Sequence, residues 1–205
     1  KLGSGLLGVG LNLAQRHLKN ARNDVACAGG LQGLILSNTI GRNRALIPDE
    51  AIAEIIKGYR DTVDLLRSLG ISVTLSGGET ADVGDLCRTL IVDSTLTARI
   101  PRTELIDTTR VCPGDVIVGF SASGQAQFEI APNSSIGSNG LTLARNVLLS
   151  RSHAERYPEV ADPNIPKEVG YRGPFNVTDY EPSLEMTVGE ALLSPTRPYA
   201  PLIQR

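Results

Sequence analysis

The stretch "SGGETADVGD", Ser76 to Asp85, places two glycines directly before a glutamate and then two aspartates within six residues. It leaves "ISVTLS" (71–76), an apolar run of the kind that forms a buried strand. The expected structure is therefore a strand that exits into a glycine turn. Gly77 and Gly78 permit positive φ and let a phosphate or sugar come close to the backbone. Glu79, Asp82 and Asp85 offer carboxylate oxygens of the type that Mg²⁺ takes, one or two at a time, together with substrate phosphates. A solvated turn whose acids cap the next element accounts for the same residues. On chemistry alone both readings stand.

Working outward, residues 48–69 give the clearest helix. Pro48 suits a first helical position, Asp49 and Glu50 complement the dipole, and Ile52, Ile55, Ile56, Tyr59, Val63 and Leu66 recur at helical spacing. Gly70 follows in the C′ position. "LQGLILSNTI" (31–40) reads as a buried strand. In 90–100, Leu90, Val92, Leu96, Ala98 and Ile100 alternate with polar residues, as in a strand with one buried face. "DVIVGFSAS" (115–123) is expected as a further strand, "NGLTLARNVLLS" (139–150) as a helix, and 5–28 as mostly helical.

This order describes an α+β (mixed α/β) domain. Past residue 152 the prolines at 158, 163, 166, 174 and 182 point to an irregular connector. The expected organisation is a domain over 1–152, a connector over 153–190, and the opening of a second domain over 191–205. Lacking an initiator Met, the sequence reads as a chain whose beginning is missing.

Of the 205 residues, 41% are apolar and 20% charged, the balance of a globular domain that can bury a core. A formal net charge of −2 gives no electrostatic footprint for nucleic acid or an anionic membrane. No run approaches the roughly 18 apolar residues that a membrane span needs. Three scattered cysteines, Cys27, Cys87 and Cys112, suit packed, reduced thiols and a cytoplasmic setting.

His17 and His153 lie far apart, and HExxH, GxSxG and Walker A patterns do not occur, which argues against zinc hydrolysis, elbow-type acyl transfer and P-loop ATPase activity. "GSGLLG" (Gly3–Gly8) matches GxGxxG, with Asp24 at the distance of a ribose-binding acid. Asp24, however, follows the polar "KNARN", where a dinucleotide fold needs the end of a strand. "NDVACAGG" puts Asn23 beside Asp24. "GSNGLTLARN" sets Ser138, Asn139 and Gly140 at a helix start, which suits an anion or ordinary N-capping.

Taken in order, "NDVACAGG", "GISVTLSGGETAD", "PGDVIVGFSASG", "GSNGLTLARNVL" and "LLSPTRPYAP" resemble aminoimidazole ribonucleotide (AIR) synthetase, the phosphoribosylformylglycinamidine cyclo-ligase family. The likeness covers roughly 20–205. The PGD and SNG pieces recur across a wider ATP-binding superfamily that includes selenophosphate synthetase, whereas GGETA points to the cyclo-ligase.

The resemblance implies an ATP- and Mg²⁺-dependent enzyme of purine biosynthesis. It would close the imidazole ring of formylglycinamidine ribonucleotide, and its first domain would pair with its twin into a shared β-barrel homodimer. Glu79 would be the catalytic acid. Gly77, Gly78, Thr80, Asn23, Asn139 and Gly140 would line the ATP and substrate sites, and Asp24 and Asp82 would be metal ligands. The stretch 124–138 is longer than the family's usual loop, as a lid or substrate-specific insertion would be. Another superfamily enzyme and a non-catalytic dimerisation scaffold are the competing readings.

Overall fold

The computed structural model describes residues 18, 19 and 21–203. Lys1, the GSGLLG segment, His17 and the first part of the expected N-terminal helix lie outside the described residues. A short helix, α1 (21–27), leads into a three-stranded sheet. Strand β1 (Leu34–Arg42) is central, with β2 (Val73–Asp82) parallel on one edge and β3 (Leu90–Thr97) antiparallel on the other.

The crossover from β1 to β2 is helix α2 (Asp49–Ser68), in the expected place. Pro48 stands at the N-cap, one position earlier than expected, and Asp49 and Glu50 fill the first turn. The stop is a Schellman arrangement: Ile71 N–H donates to Leu66 C=O, Gly70 N–H donates to Arg67 C=O, and Gly70 has φ +83°. Ile55, Tyr59, Val63 and Leu66 form the buried stripe of α2. They pack on Leu34, Leu36 and Ile40 of β1, Val73 of β2 and Val92 of β3. The buried Tyr59 hydroxyl donates to the Asp93 carbonyl and shares a hydrogen bond with Ser94 Oγ. The opposite sheet face leaves Ile35 and Ile91 exposed.

Two sequence expectations are corrected. The glycines after Ser76 do not begin a turn, because β2 runs on through Asp82, paired with β1 along its length. A bulge makes this possible. The register passes from Leu36 opposite Leu75 to Ser37 opposite Gly77, so Ser76 is the extra residue, and its hydroxyl donates to the Leu36 carbonyl. The second correction concerns 115–123. Only Ser123 and Gly124 (β4) form a ladder, with Asn133 and Ser134 (β5). The preceding Val116, Ile117, Val118 and Phe120 are exposed, and no described strand lies alongside to complete their hydrogen bonds.

Helix α3 (Leu141–Leu148) follows a 3₁₀ turn over Ser138–Gly140. The stretch 151–193 contains α4 (Arg151–Arg156), the small hairpin β6 (Tyr180–Glu181) and β7 (Met186–Thr187), and α5 (Val188–Leu193). A second apolar core joins Leu149, Ala154, Tyr171, Val188 and Leu192 to Leu141, Ala144 and Leu148 of the α3 region. Thr187 and Glu190 form a capping box at the start of α5. Helix α6 (Ala200–Ile203) ends the described chain.

Cys27 and Cys112 are exposed and Cys87 is half-buried, so packing in a core does not explain them. Among the described residues, no helix is long and apolar enough to cross a membrane.

Ile55 is fully buried at the centre of the first core. Ile55→Ala is expected to cost about 2–5 kcal/mol in urea unfolding, whereas Ile35→Ser on the open face stays within about 1 kcal/mol. Equal losses would show that the open face is as tightly packed as the core.

Candidate functional site

The bulge decides where the acids of β2 point. Gly77 has φ +115°, a conformation that side chains resist. Gly78 is needed for a different reason: a Cβ there would overlap the Asn38 amide and lie 2.5 Å from the Asn38 carbonyl oxygen. Close approach of the neighbouring strand, and not of a ligand, therefore requires Gly78. Beyond the bulge, Glu79 sits opposite Thr39, which in turn faces Asp93 of β3.

Val92 is buried under α2, so this row lies on the sheet's open face. Glu79 and Asp93 are thus two strand spacings apart, about 10 Å, with Thr39 between them. Asp93 was not singled out in the sequence. Its only signal was the polar phase of the β3 alternation. Thr80 is exposed opposite Ile40, and Asp82 closes the strand opposite Arg42, with its carboxylate accepting from Arg44 N–H at 3.2 Å. Asp85 lies in the exposed loop that follows.

The other expected site residues are on different elements. Asp24 is exposed on α1. Asn23 commits both ends of its amide to the chain's last segment: its Nδ2 donates to the Arg197 carbonyl at 2.9 Å, and its Oδ1 accepts from Tyr199 N–H at 3.0 Å. Asn139 and Gly140 are exposed at the entry to α3, where no side chain caps either the 3₁₀ turn or the helix. Among the described residues, no three His, Cys, Asp or Glu side chains gather closely enough to hold a metal by themselves. That donor set is compatible with a Mg²⁺–nucleotide pair, in which phosphates supply most of the oxygens and the protein adds one or two carboxylates.

Sequence reasoning missed the lock beneath the expected loop. Arg197 is buried and makes a bidentate pair with Glu129, Nε to Oε1 at 3.0 Å and Nη2 to Oε2 at 2.7 Å. Its remaining protons go to the carbonyls of Ser121, Ser123 and Gly124. The stretch 121–129 is thereby pinned to the "SPTRPY" segment, and Asn133 reinforces this with a 2.6 Å bond to the Pro195 carbonyl. Two more cations lie close by on the N-terminal helix. Lys19 is buried, and desolvation lowers its pKa to about 8 against the opposing pull of Glu129. Arg22 is fully buried with no partner for any guanidinium nitrogen among the described residues, and desolvation lowers it to about 10.

Removing one member of a buried pair strands the other, so Glu129→Gln is expected to cost about 3–5 kcal/mol. Adding Arg197→Met to that variant should recover part of the loss; further loss in the double variant would contradict the coupling. Lys19 gives a pH signature. Between about pH 8 and its ordinary value of 10.5, the unfolded chain holds a proton that the folded chain has released. Stability therefore rises with pH across that window, by about 3 kcal/mol relative to Lys19→Met. Parallel pH profiles for the two proteins would place the Lys19 ammonium in water.

No family model matches the chain. A phosphoribosylformylglycinamidine cyclo-ligase of Methanococcus vannielii is 29% identical over 158 residues, which is 76% of this chain and 36% of that protein. One of Thermoanaerobacter sp. is 28% identical over 77% of this chain and 37% of its own length. The cyclo-ligase of Methanothermobacter thermautotrophicus is 29% identical over 178 residues, 86% of this chain and 40% of that protein. The chain spans about two fifths or less of the curated relatives it matches. These relatives are all phosphoribosylformylglycinamidine cyclo-ligases by name, and the chain is similar to them over about three quarters of its length.

Proposed function

We propose that the chain is the ATP-binding, dimer-forming part of a cyclo-ligase that converts formylglycinamidine ribonucleotide to aminoimidazole ribonucleotide, ADP and phosphate. The observation that carries this reading is the likeness to named cyclo-ligases over three quarters of the chain. The placement of Glu79 on an open sheet face adds to it.

Asp24 and Asp82 would hold Mg²⁺–ATP, which would supply the phosphoryl group that makes the substrate's amide oxygen a leaving group for ring closure, with phosphate and a proton released. The protein's own task is then positioning and charge management. Glu79 projects from a strand that is paired to its end, which fixes its backbone, and its carboxylate is exposed and open to a substrate proton or a metal. Asp24 and Asp82 would hold the metal, each leaving carboxylate oxygens free. Gly77, Gly78 and Thr80 shape the strand beside Glu79, and Asn139 and Gly140 would meet the ribonucleotide. Asn23 would act indirectly, by fixing α1 and hence Asp24 against the Arg197 segment.

A second copy would build the shared barrel by pairing through strand edges, which leaves the face that carries Glu79 open to substrate.

The test is ADP release by the native protein with Mg²⁺–ATP, with and without formylglycinamidine ribonucleotide, beside Glu79→Ala. The expected result is release that requires the ribonucleotide and falls by about a hundredfold or more in the variant. The same preparation should sediment as a dimer. Release indifferent to the ribonucleotide would overturn the cyclo-ligase reading, and unchanged release in the variant would remove Glu79 from the chemistry.

A further inference from the structure

Away from the sheet, a cavity of about 150 Å³ opens between α3 and the stretch 151–171. Arg88, Arg145 and Arg151 line it, with Asn146, Tyr171 and one carboxylate, Asp162. None of these arginines takes part in an ion pair among the described residues. Arg145 Nε is buried without a partner among the described residues, while Arg88 donates to the Ala161 carbonyl. Asp162 Oδ1 accepts from the backbone and side chain of Asn164. The positive potential reaches His153, whose pKa is lowered by burial and then by Arg145.

A second hollow of about 360 Å³ shares Arg151 and Tyr171 with the first and adds Lys167, Arg172 and Glu168. Five cations and two carboxylates thus line one surface of a chain whose formal charge is −2.

An unpaired guanidinium facing a cavity costs stability unless an anion completes it. Guanidinium forks match phosphate oxygens in geometry as well as charge. Three of them against one carboxylate leave an excess of two, the charge of a phosphate monoester and twice that of a carboxylate. The inner cavity is smaller than the roughly 300–1,000 Å³ of whole-ligand sites, so it suits a head group. The adjoining hollow has room for what the head group carries.

We propose that the Arg88–Arg145–Arg151 cavity is an oxyanion site for the phosphate of a phosphomonoester, with the ester's organic part in the hollow toward Lys167 and Arg172. The site rests on its own lining and does not require Glu79. Its phosphate has two sources, a sugar phosphate or free inorganic phosphate.

Titration calorimetry on the native protein with inorganic phosphate and with ribose 5-phosphate tests this. The variants are Arg145→Met, the half-exposed Arg151→Gln, and Arg102→Gln as an exposed arginine outside the cavity, each checked by thermal unfolding. Saturable one-to-one binding is expected, weakened about tenfold or more by either cavity variant and unchanged in Arg102→Gln. If Arg145→Met does not fold, Arg151→Gln decides alone. Tighter binding of ribose 5-phosphate than of inorganic phosphate supports the site together with its hollow, and equal binding overturns the placement of an organic part in the hollow. No saturable binding of either probe, or equal weakening in Arg102→Gln, overturns the site.

Discussion

Pairing of β1 along both of its edges is the constraint on which the rest of this structure depends. A central strand has to satisfy its backbone groups on two sides, and β1 does so with a parallel partner and an antiparallel one. The parallel partner forces a crossover, and α2 supplies it at the right length. Its 20 residues rise about 30 Å, close to the length of a nine-residue strand, so the chain returns to the end of the sheet where a parallel strand has to begin. The bulge at Ser76 follows from the same demand. Without it, β2 beyond Leu75 would pair out of phase, and Glu79 would be turned away from the face that carries Asp93. The position of the principal acid is therefore a consequence of strand register.

The two apolar cores are joined by polar contacts. Asn23 grips the backbone at 197 and 199, Arg197 grips the stretch 121–129, and Ser134 donates to the Ala191 carbonyl at 2.7 Å. Such contacts are directional and contribute little net stability when complete, but they are costly to leave half made. They fix orientation between cores that hydrophobic packing alone would leave free to slide. The segment 124–138 is held at its middle by Glu129 and at one end by the β4–β5 ladder, so it behaves as a fastened strap on the C-terminal segment.

Much of the fold was legible because it is local. The α2 boundaries follow from Pro48, the acidic first turn and Gly70, and β1 and β3 follow from apolar spacing. Features that depend on distant partners were not legible. A glycine pair after an apolar run signals a turn, and only the presence of β1 converts it into a bulge with continued pairing. The run 115–123 has strand composition, but a ladder needs a neighbour, and composition carries no information about neighbours. Of the site, the individual acids could be read, whereas the Glu79–Thr39–Asp93 row required the register. Arg197 and Glu129 lie 68 residues apart, with nothing in either flank to mark them as a pair.

Three arginines show how the same side chain acquires different roles from its surroundings. Arg197 is buried with its protons matched by a carboxylate and carbonyls, and its charged form is favoured above the ordinary value by Glu129. Arg22 is equally buried with no matching oxygen among the described residues, where its charge is a cost to the fold. Arg145 also hides an unmatched nitrogen, yet it borders a cavity that two more arginines line. Burial alone is therefore a poor guide to function, since Arg197 and Arg22 share it and differ in every other respect. The distinguishing feature is access. A matched charge serves the structure, a sealed unmatched charge opposes it, and an unmatched charge beside open volume is the one a ligand can complete.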